Sequence, residues 1–185
     1  MEKKFANGKA LKLLKGDITK VAAGAIANAV NSGLAGGGGV DGAIHRAGGP
    51  AIMRELDKIR AATGGCPTGS AVATTAGDLP ATYVFHAVGP IYTGGHEGEP
   101  DLLASCYETC MRLAADHGVR TITFPSISTG VYGYPVDEAA PIALATVARC
   151  LLDPASTIES ATFVLFDRGT YDAYARHLAG LDVKS

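Results

Sequence analysis

The sequence lacks an excess of basic residues and lacks any long apolar run. Lys and Arg number 16 against 18 Asp and Glu, so the formal net charge at pH 7 is −2. Such a chain has no basic field of the kind that drives non-specific nucleic-acid binding, and we do not expect it to bind nucleic acid directly. No apolar run approaches transmembrane length, and the segment from Met1 to Phe5 lacks the apolar core of a signal peptide. We therefore expect no membrane association and a cytoplasmic location.

The motifs of common metal and nucleotide sites are also missing. The four cysteines show neither CxxC nor zinc-ribbon spacing, and we expect Cys106 and Cys110, one helical turn apart in an apolar segment, to pack as small apolar side chains. The histidines show no recognisable ligand spacing, and a buried structural role is expected for His86 within a strand pattern. No GxxxxGK(S/T) motif is present, which argues against a P-loop nucleotidase. We predict no metal and no organic cofactor.

The chain alternates strand-like and helix-like segments without a linker that would separate domains. With 47% hydrophobic residues, it can bury a sizeable core in one domain. The order of segments predicts an α/β domain over residues 1–185, with a mixed sheet and helices on its faces. Its predicted strands are residues 11–14, 25–30, 72–75, 83–88, 121–124 and 162–166, and its predicted helices are residues 42–47, 51–62, 102–117, 138–152 and 171–178.

A glycine-rich loop leads from the second predicted strand into the first predicted helix. It contains four consecutive glycines at residues 36–39, followed by Val40 and Asp41. Glycine has no Cβ, so backbone N–H groups can approach a bound group closely, and a helix that begins there presents unpaired amides to an anion. Phosphate is the usual guest of such a site. Asp41 either caps the helix or takes part in chemistry beside a bound phosphate, and the sequence leaves both readings open.

A second loop, residues 124–135, also follows a predicted strand and precedes a predicted helix. Ser128 and Thr129 can donate hydroxyl hydrogen bonds, and Gly130 frees the backbone for close approach. Alone, this loop is typical of a turn with local Ser and Thr bonding, but two such loops favour a ligand with two linked phosphates.

Residues 37–42 of the first loop also match G-x-G-x-x-G. The preceding strand and the distal acid of a Rossmann site are not in their usual places, so a dehydrogenase is a weaker alternative.

Several segments occur in an order that resembles one known family. They are residues 16–19, 31–45, 67–69, 86–90 and 128–135. Together they resemble a macrodomain of the MacroD-like class, and they are most similar to the bacterial enzymes that deacetylate O-acetyl-ADP-ribose. The resemblance covers residues 11–178, which we expect to be the core of a single macrodomain. It implies a three-layer α/β/α fold around a six-stranded mixed sheet, with ADP-ribose in a cleft at one end.

The resemblance also implies roles for individual residues. Asp17 would accept a hydrogen bond from the adenine amino group, beside the backbone of Ile18. Phe166 would pack on the adenine, or else be an ordinary buried strand residue. Asn31 would contact the hydroxyls of the distal ribose. Backbone amides would bind the diphosphate without Lys or Arg, from Gly39 and Val40 on one side and from Ser128, Thr129, Gly130, Val131 and Tyr132 on the other.

The reaction that the resemblance implies is hydrolysis at the distal ribose. A water would attack either the carbonyl carbon or the anomeric carbon, Asp41 would accept its proton, and Asn31 would help to fix the ribose. The helix N-terminus favours the ionised carboxylate and weakens it as a base, so we hypothesise that the bound diphosphate helps to orient or activate the water. His45, four residues after Asp41 on the same helical face, either holds that carboxylate or is structural. Asn28 is expected to be structural.

Two functions of different classes remain open at this point. The first is a hydrolase that acts on O-acetyl-ADP-ribose and on mono-ADP-ribose attached to acidic residues of proteins. The second is a reader module that binds ADP-ribose without turning it over. The acid at position 41 favours the enzyme, because a reader needs only the phosphate loops. A third and weaker alternative is an RNA- or protein-binding regulator. The expected partners are ADP-ribose, O-acetyl-ADP-ribose and mono-ADP-ribosylated proteins.

Overall fold

A computed structural model describes residues 1–182 and shows one sheet of seven strands with helices on both faces. The strands are β1 (Glu2–Lys4), β2 (Ala10–Lys15), β3 (Ala25–Val30), β4 (Ala71–Thr75), β5 (Tyr83–Val88), β6 (Thr121–Phe124) and β7 (Ser160–Leu165). The helices are α1 (Gly39–Gly48), α2 (Pro50–Thr63), α3 (Glu99–Asp116), α4 (Val136–Leu152) and α5 (Arg168–Ala179), with a short 3₁₀ helix at Ile18–Lys20. None of the helices in residues 1–182 combines the length and apolarity that a bilayer span needs.

The sheet has one strand more than the expected six. Strand β1 pairs antiparallel with β2 at one edge, with Lys3 opposite Leu11. Its three residues are polar and mostly exposed, so no apolar alternation marks it in the sequence. Backbone pairing with β2 holds it there, which explains why the pattern of side chains did not predict it.

The strand order is β1-β2-β7-β6-β3-β5-β4. Strands β2, β7, β6, β3 and β5 are parallel, and β1 and β4 are antiparallel at the two edges, so the sheet is mixed as predicted. Because parallel strands end at the same side, the loops after β2, β7, β6 and β3 meet at one edge of the sheet. Ligands of open α/β sheets bind at that edge.

Two separate cores fill the space between the sheet and its helices. On β3, Ala25 and Ala27 pack into the core beneath α3, α4 and α5, whereas Ile26 and Val30 face α1 and α2. The strand is therefore apolar on both faces, as parallel strands between two helical layers usually are. This arrangement confirms the three-layer α/β/α fold. One β3 residue on the α1 and α2 face, Asn28, is polar and fully buried.

The cysteines and the first turns of the helices complete the comparison with the sequence. Cys66, Cys106 and Cys110 are free and buried, and burial raises the pKa of the Cys106 thiol to about 12, which confirms the packing role predicted for Cys106 and Cys110. Helix α2 begins one residue earlier than predicted, at Pro50, because the first helical position tolerates a residue without an N–H. Helix α1 begins three residues earlier than predicted, because the unpaired first turn of a helix accepts Gly and Asp that would be unfavourable further in.

Candidate active site

A cleft of about 760 Å³ opens where β2, β7, β6 and β3 end. Its volume lies in the range of small-molecule sites. The two loops, the first turn of α1, the 3₁₀ helix and the segment after β7 form its walls. All residues predicted to contact substrate line this cleft, namely Asp17, Ile18, Asn31, Gly39, Val40, Asp41, Ser128, Thr129, Gly130, Val131, Tyr132 and Phe166.

The Asn31 side chain holds the first loop in shape. Its Nδ2 donates to the carbonyl oxygen of Gly36 at 2.9 Å, and its Oδ1 accepts from the backbone N–H of Ala35 at 3.2 Å. Gly36 and Gly39 adopt positive φ angles of 85° and 59°, which favour glycine. Asn31 therefore organises the loop on which the cleft depends, in addition to lining the cleft itself.

Asp41 does not cap helix α1. Gly38 is the N-cap and makes no side-chain cap hydrogen bond, while Asp41 is the third residue of the helix and only 4% exposed. Its Oδ1 accepts a hydrogen bond of 2.8 Å from Nδ2 of Asn28, and its Oδ2 has no hydrogen-bond partner in the described residues. The capping alternative is wrong, and the carboxylate is held from β3 with one oxygen left available in the cleft.

His45 lies beside Asp41 without a hydrogen bond to it. Its Nε2 is 3.2 Å from Oδ1 of Asp41, but the direction of the ring N–H does not meet hydrogen-bond geometry. The side chain that does donate to the carboxylate is Asn28, for which we expected only a structural role. His45 is therefore in contact with the acid but does not fix it in this conformation.

Behind Asn28, polar side chains on neighbouring strands continue into the interior. Nδ2 of Asn28 lies 3.3 Å from Nδ1 of His86 on β5, and Nε2 of His86 lies 2.9 Å from Oγ1 of Thr74 on β4. His86 is completely buried, and this burial, together with the nearby His45, lowers its pKa to about 3. The imidazole is thus neutral at pH 7. The sequence did carry a signal, because these polar residues interrupt otherwise apolar faces of their strands.

The second loop presents backbone groups to the cleft. Ser128 has a positive φ of 68°, and its carbonyl oxygen accepts from the N–H of Tyr134 at 2.9 Å. The N–H of Ile127 donates to the hydroxyl of Tyr107 at 3.0 Å. Within residues 1–182, the backbone N–H groups of residues 128–132 donate to no protein acceptor. Successive unpaired amides of this kind form an anion site.

Hydroxyl groups beneath the second loop fix its first residues. Oγ of Ser126 is 2.8 Å from the hydroxyl of Tyr174, and Oγ1 of Thr129 donates to Oγ of Ser126 at 2.8 Å. Tyr174 is fully buried among the aromatic side chains of the larger core. The loop is therefore anchored to the core through these hydroxyls.

Asp17 and Phe166 lie at the end of the cleft formed by β2 and β7. Oδ1 of Asp17 accepts from Oγ1 of Thr19 at 2.7 Å and from its N–H at 3.0 Å, and these bonds lower the pKa of the Asp17 carboxyl. The carboxylate can therefore accept a hydrogen bond from an amine at neutral pH. Phe166 follows β7 directly and is 81% exposed, so the alternative of a buried strand residue is wrong.

One basic residue borders the cleft. Arg46 of α1 is exposed and lies on its wall, and binding of a diphosphate by backbone amides alone stays a prediction. The other charged residues on the wall are acidic: Asp17, Asp41 and Asp167. Backbone N–H groups are consequently the main donors available to an anion. In the described part of the chain, no three His, Cys, Asp or Glu side chains cluster as metal ligands would.

The fold and the cleft agree with a comparison against known families. A family model described as "Macro domain" matches residues 27–143. The chain belongs to the macro domain family. Because this macrodomain has the strand order β1-β2-β7-β6-β3-β5-β4 and belongs to this family, the Rossmann dehydrogenase alternative is wrong.

The macrodomain is similar to named bacterial relatives over nearly its whole length. It is 51% identical over 170 residues to O-acetyl-ADP-ribose deacetylase 1 of Pantoea vagans, covering 92% of this chain and 99% of the relative. It is 53% identical over 167 residues to O-acetyl-ADP-ribose deacetylase of Enterobacter cloacae, covering 90% and 92%. A solved structure of a mutant Oceanobacillus iheyensis macrodomain with ADPR superposes with a TM-score of 0.91 at 39% identity and covers 97% of each chain. The resemblance seen in the sequence is confirmed.

Proposed function

We propose that this macrodomain hydrolyses ADP-ribose esters and converts O-acetyl-ADP-ribose to ADP-ribose and acetate. The names of its relatives and the ligand of its structural neighbour support this proposal. The observation that carries it is the carboxylate of Asp41, which is nearly buried, held by Asn28 and left with a free Oδ2 on the cleft wall.

A carboxylate in this position favours an enzyme over a reader. Two phosphates bound at the N-terminus of α1 and at residues 128–132 would carry negative charge close to Asp41, and like charges repel. Asp41 therefore weakens the binding of ADP-ribose, and a module that only binds would gain nothing from it. An esterase gains a general base, which typically contributes about 10²- to 10⁴-fold in rate.

The geometry supports the following arrangement of substrate. The adenine would lie beside Asp17 and Phe166, the diphosphate against the unpaired N–H groups of both loops, and the distal ribose beside Asn31 and Asp41. Oδ2 of Asp41 would accept a proton from a water molecule whose oxygen attacks the ester carbonyl carbon. The acyl C–O bond then breaks, and the ribose oxygen takes up a proton. Acetate and ADP-ribose leave, and Asp41 is again a carboxylate.

Hydrolysis of O-acetyl-ADP-ribose in ¹⁸O water, followed by mass spectrometry, tests this function. We expect ¹⁸O in acetate, whereas acetate without ¹⁸O would place the attack away from the carbonyl carbon. Asp41→Asn should slow turnover by about 100-fold or more. Asp101→Asn is the matched control, because Asp101 is an exposed third residue of α3, as Asp41 is the third residue of α1.

The outcomes of that experiment separate the candidate functions. No turnover by the unchanged protein, with ADP-ribose still bound, would contradict the hydrolase and leave the reader module. Equal turnover by the unchanged protein and Asp41→Asn would keep the hydrolase and remove Asp41 as its base.

We also propose that the same site removes mono-ADP-ribose from acidic residues of proteins. A linkage between ADP-ribose and a protein carboxylate is an ester, so the same attack and the same base apply. Incubation with a protein ADP-ribosylated on glutamate should release ADP-ribose, and Asp41→Asn should abolish that release.

We further propose that residues 1–185 form one macrodomain, since a single sheet extends from β1 to β7 through the described residues.

A further inference from the structure

Thr74, His86 and Asn28 form a buried hydrogen-bond chain that ends on Asp41. They lie on the adjacent strands β4, β5 and β3, and each is at most 3% exposed. All of them face the layer of α1 and α2, where their strand neighbours are apolar. Asp41 lines the cleft, whereas Thr74, His86 and Asn28 do not. The hydrogen-bond chain therefore approaches the carboxylate from the interior, on the side away from the cleft.

The hydrogen-bond directions follow from the carboxylate of Asp41, whose Oδ1 can only accept, so the NH₂ group of Asn28 faces it. Nδ1 of His86 lies 3.3 Å from the same amide nitrogen and is therefore the acceptor of that pair. Because His86 is neutral, its hydrogen is then on Nε2, and Oγ1 of Thr74 accepts from it. The hydroxyl hydrogen of Thr74 is directed to the carbonyl oxygen of Thr75 at 2.9 Å.

The Asn28 amide therefore has one favourable orientation. Its NH₂ group faces both Nδ1 of His86 and Oδ1 of Asp41, at 3.3 and 2.8 Å. The reversed amide would place two acceptor oxygens against each other at Asp41 and two acceptors at His86. The orientation has a cost, because Oδ1 of Asn28 is buried without a partner. Apolar residues at these positions would avoid that cost, which indicates that the hydrogen-bond chain has a purpose beyond packing.

We propose that Thr74, His86 and Asn28 are positioning residues for the hydrolysis described above. They hold the Asn28 amide as a donor to Oδ1 of Asp41, so that Oδ2 stays free in the cleft for the water molecule. This inference rests on the proposed function. It assigns a role in catalysis to residues that touch neither the ligand nor the reacting atoms.

Two substitutions of Thr74 distinguish positioning from packing. Thr74→Val keeps the shape of the side chain and removes the hydroxyl, whereas Thr74→Ser keeps the hydroxyl and removes the methyl group. If the hydrogen-bond chain positions Asp41, Thr74→Val should lower kcat by about tenfold, as loss of an outer hydrogen-bond partner typically does. Thr74→Ser should stay within about twofold of the unchanged protein. The Kd for ADP-ribose should change by less than about twofold in both, because Thr74 lies outside the cleft.

A packing role predicts the opposite order, with Thr74→Val close to the unchanged protein and Thr74→Ser impaired. That order, or two variants with unchanged kcat, would overturn the inference while the hydrolase stands. No turnover by the unchanged protein would overturn the proposed function and the positioning role together.

A measurement on the unchanged protein keeps the inference testable if a variant fails to fold. Long-range ¹H–¹⁵N NMR spectra of the imidazoles report which ring nitrogen carries hydrogen. We expect His86 to be protonated at Nε2 and not at Nδ1 at pH 7. Protonation at Nδ1 would reverse the Asn28 amide and overturn the inference.

Discussion

The two loops of the cleft differ in what they present and in how the protein holds them. The first loop leads to a carboxylate, and side-chain amides secure it, from Asn31 to the loop backbone and from Asn28 to Asp41. The second loop presents unpaired backbone N–H groups, and the hydroxyls of Tyr107 and Tyr174 secure it. One side of the cleft is therefore built around an acid and the other around donors for an anion.

Such a division would let one site hold an anionic ligand beside a negatively charged base. The donors available to an anion and the amides that orient the acid come from separate parts of the structure. The larger aromatic core anchors the second loop, whereas β3, β5 and β4 support Asp41 from the other face of the sheet. We therefore expect substitutions beneath the second loop to weaken binding, and substitutions behind Asp41 to slow the chemical step.

The largest effect on the binding side is expected from Gly89→Ala. An added Cβ would lie 2.2 Å from Oγ of Ser128 and 2.6 Å from Cγ2 of Ile127, so the second loop would have to move. Loss of several hydrogen bonds to charged phosphate should weaken ADP-ribose binding by about 30-fold or more, as measured by isothermal titration calorimetry. Gly169→Ala is the control, since its Cβ would meet only Oδ1 of Asp167 at 3.4 Å. An unchanged Kd in Gly89→Ala would contradict the anchoring of this loop.

The next effect is a dependence of stability on pH, and it comes from His86, which lies behind Asp41 and Asn28. Burial lowers the pKa of His86 to about 3, whereas the unfolded chain takes up that proton near its ordinary value of 6.5. Between those values the unfolded state binds more protons, so the free energy of unfolding decreases as the pH falls. From pH 7 to pH 5 this group should cost about 2 kcal/mol of stability.

Urea denaturation of the unchanged protein and of His86→Gln at pH 7, 6 and 5 measures that loss. The variant should lack the His86 contribution, while the other ionisable groups are common to both proteins. Parallel pH profiles for the two proteins would show that His86 does not have a lowered pKa.

A comparable effect on stability, with an effect on binding smaller than that of Gly89→Ala, is expected from Tyr107→Phe. The substitution removes the hydroxyl that accepts from the N–H of Ile127 and leaves that buried donor unpaired. We expect a loss of about 1–3 kcal/mol in the free energy of unfolding and a roughly fivefold weaker binding of ADP-ribose. Denaturation and calorimetry on one preparation would check both, and turnover at saturating substrate should stay within about twofold. A larger fall in turnover than in affinity would mean that the second loop also serves the chemistry.

The sequence predicted most of the fold because strong apolar runs mark most of the strands. The predicted bounds of β3, β5 and β6 coincide with those of the structure. Strand β1 has no such run and forms only through backbone pairing with β2, so side-chain pattern could not indicate it. The starts of α1 and α3 were also predicted late, because Gly and Pro occupy their first turns.

The residues of the candidate site differ in how far the sequence alone could predict them. The glycine loops and Asp41 could be found because glycine loops that lead into helices, with an acid at the junction, are typical of an anion site and a candidate base. Asn28 and His86 are polar residues in apolar strands, and only the order of the strands brings them together. Parallel strands that lie far apart in sequence give no local cue to their neighbours. The unpaired amides of residues 128–132 depend on the positive φ of Ser128, a backbone conformation that a serine in the sequence does not predict.

The most direct test of a cleft divided between chemistry and binding measures two constants on two variants. The single-turnover rate with O-acetyl-ADP-ribose and the Kd for ADP-ribose would be determined for Asp41→Asn and Gly89→Ala beside the unchanged protein. We predict a rate at least about 100-fold lower with no weaker binding in Asp41→Asn, and weaker binding with a rate at saturation within about threefold in Gly89→Ala. If Asp41→Asn lost binding and kept its rate, Asp41 would be a ligand contact and the division would be contradicted.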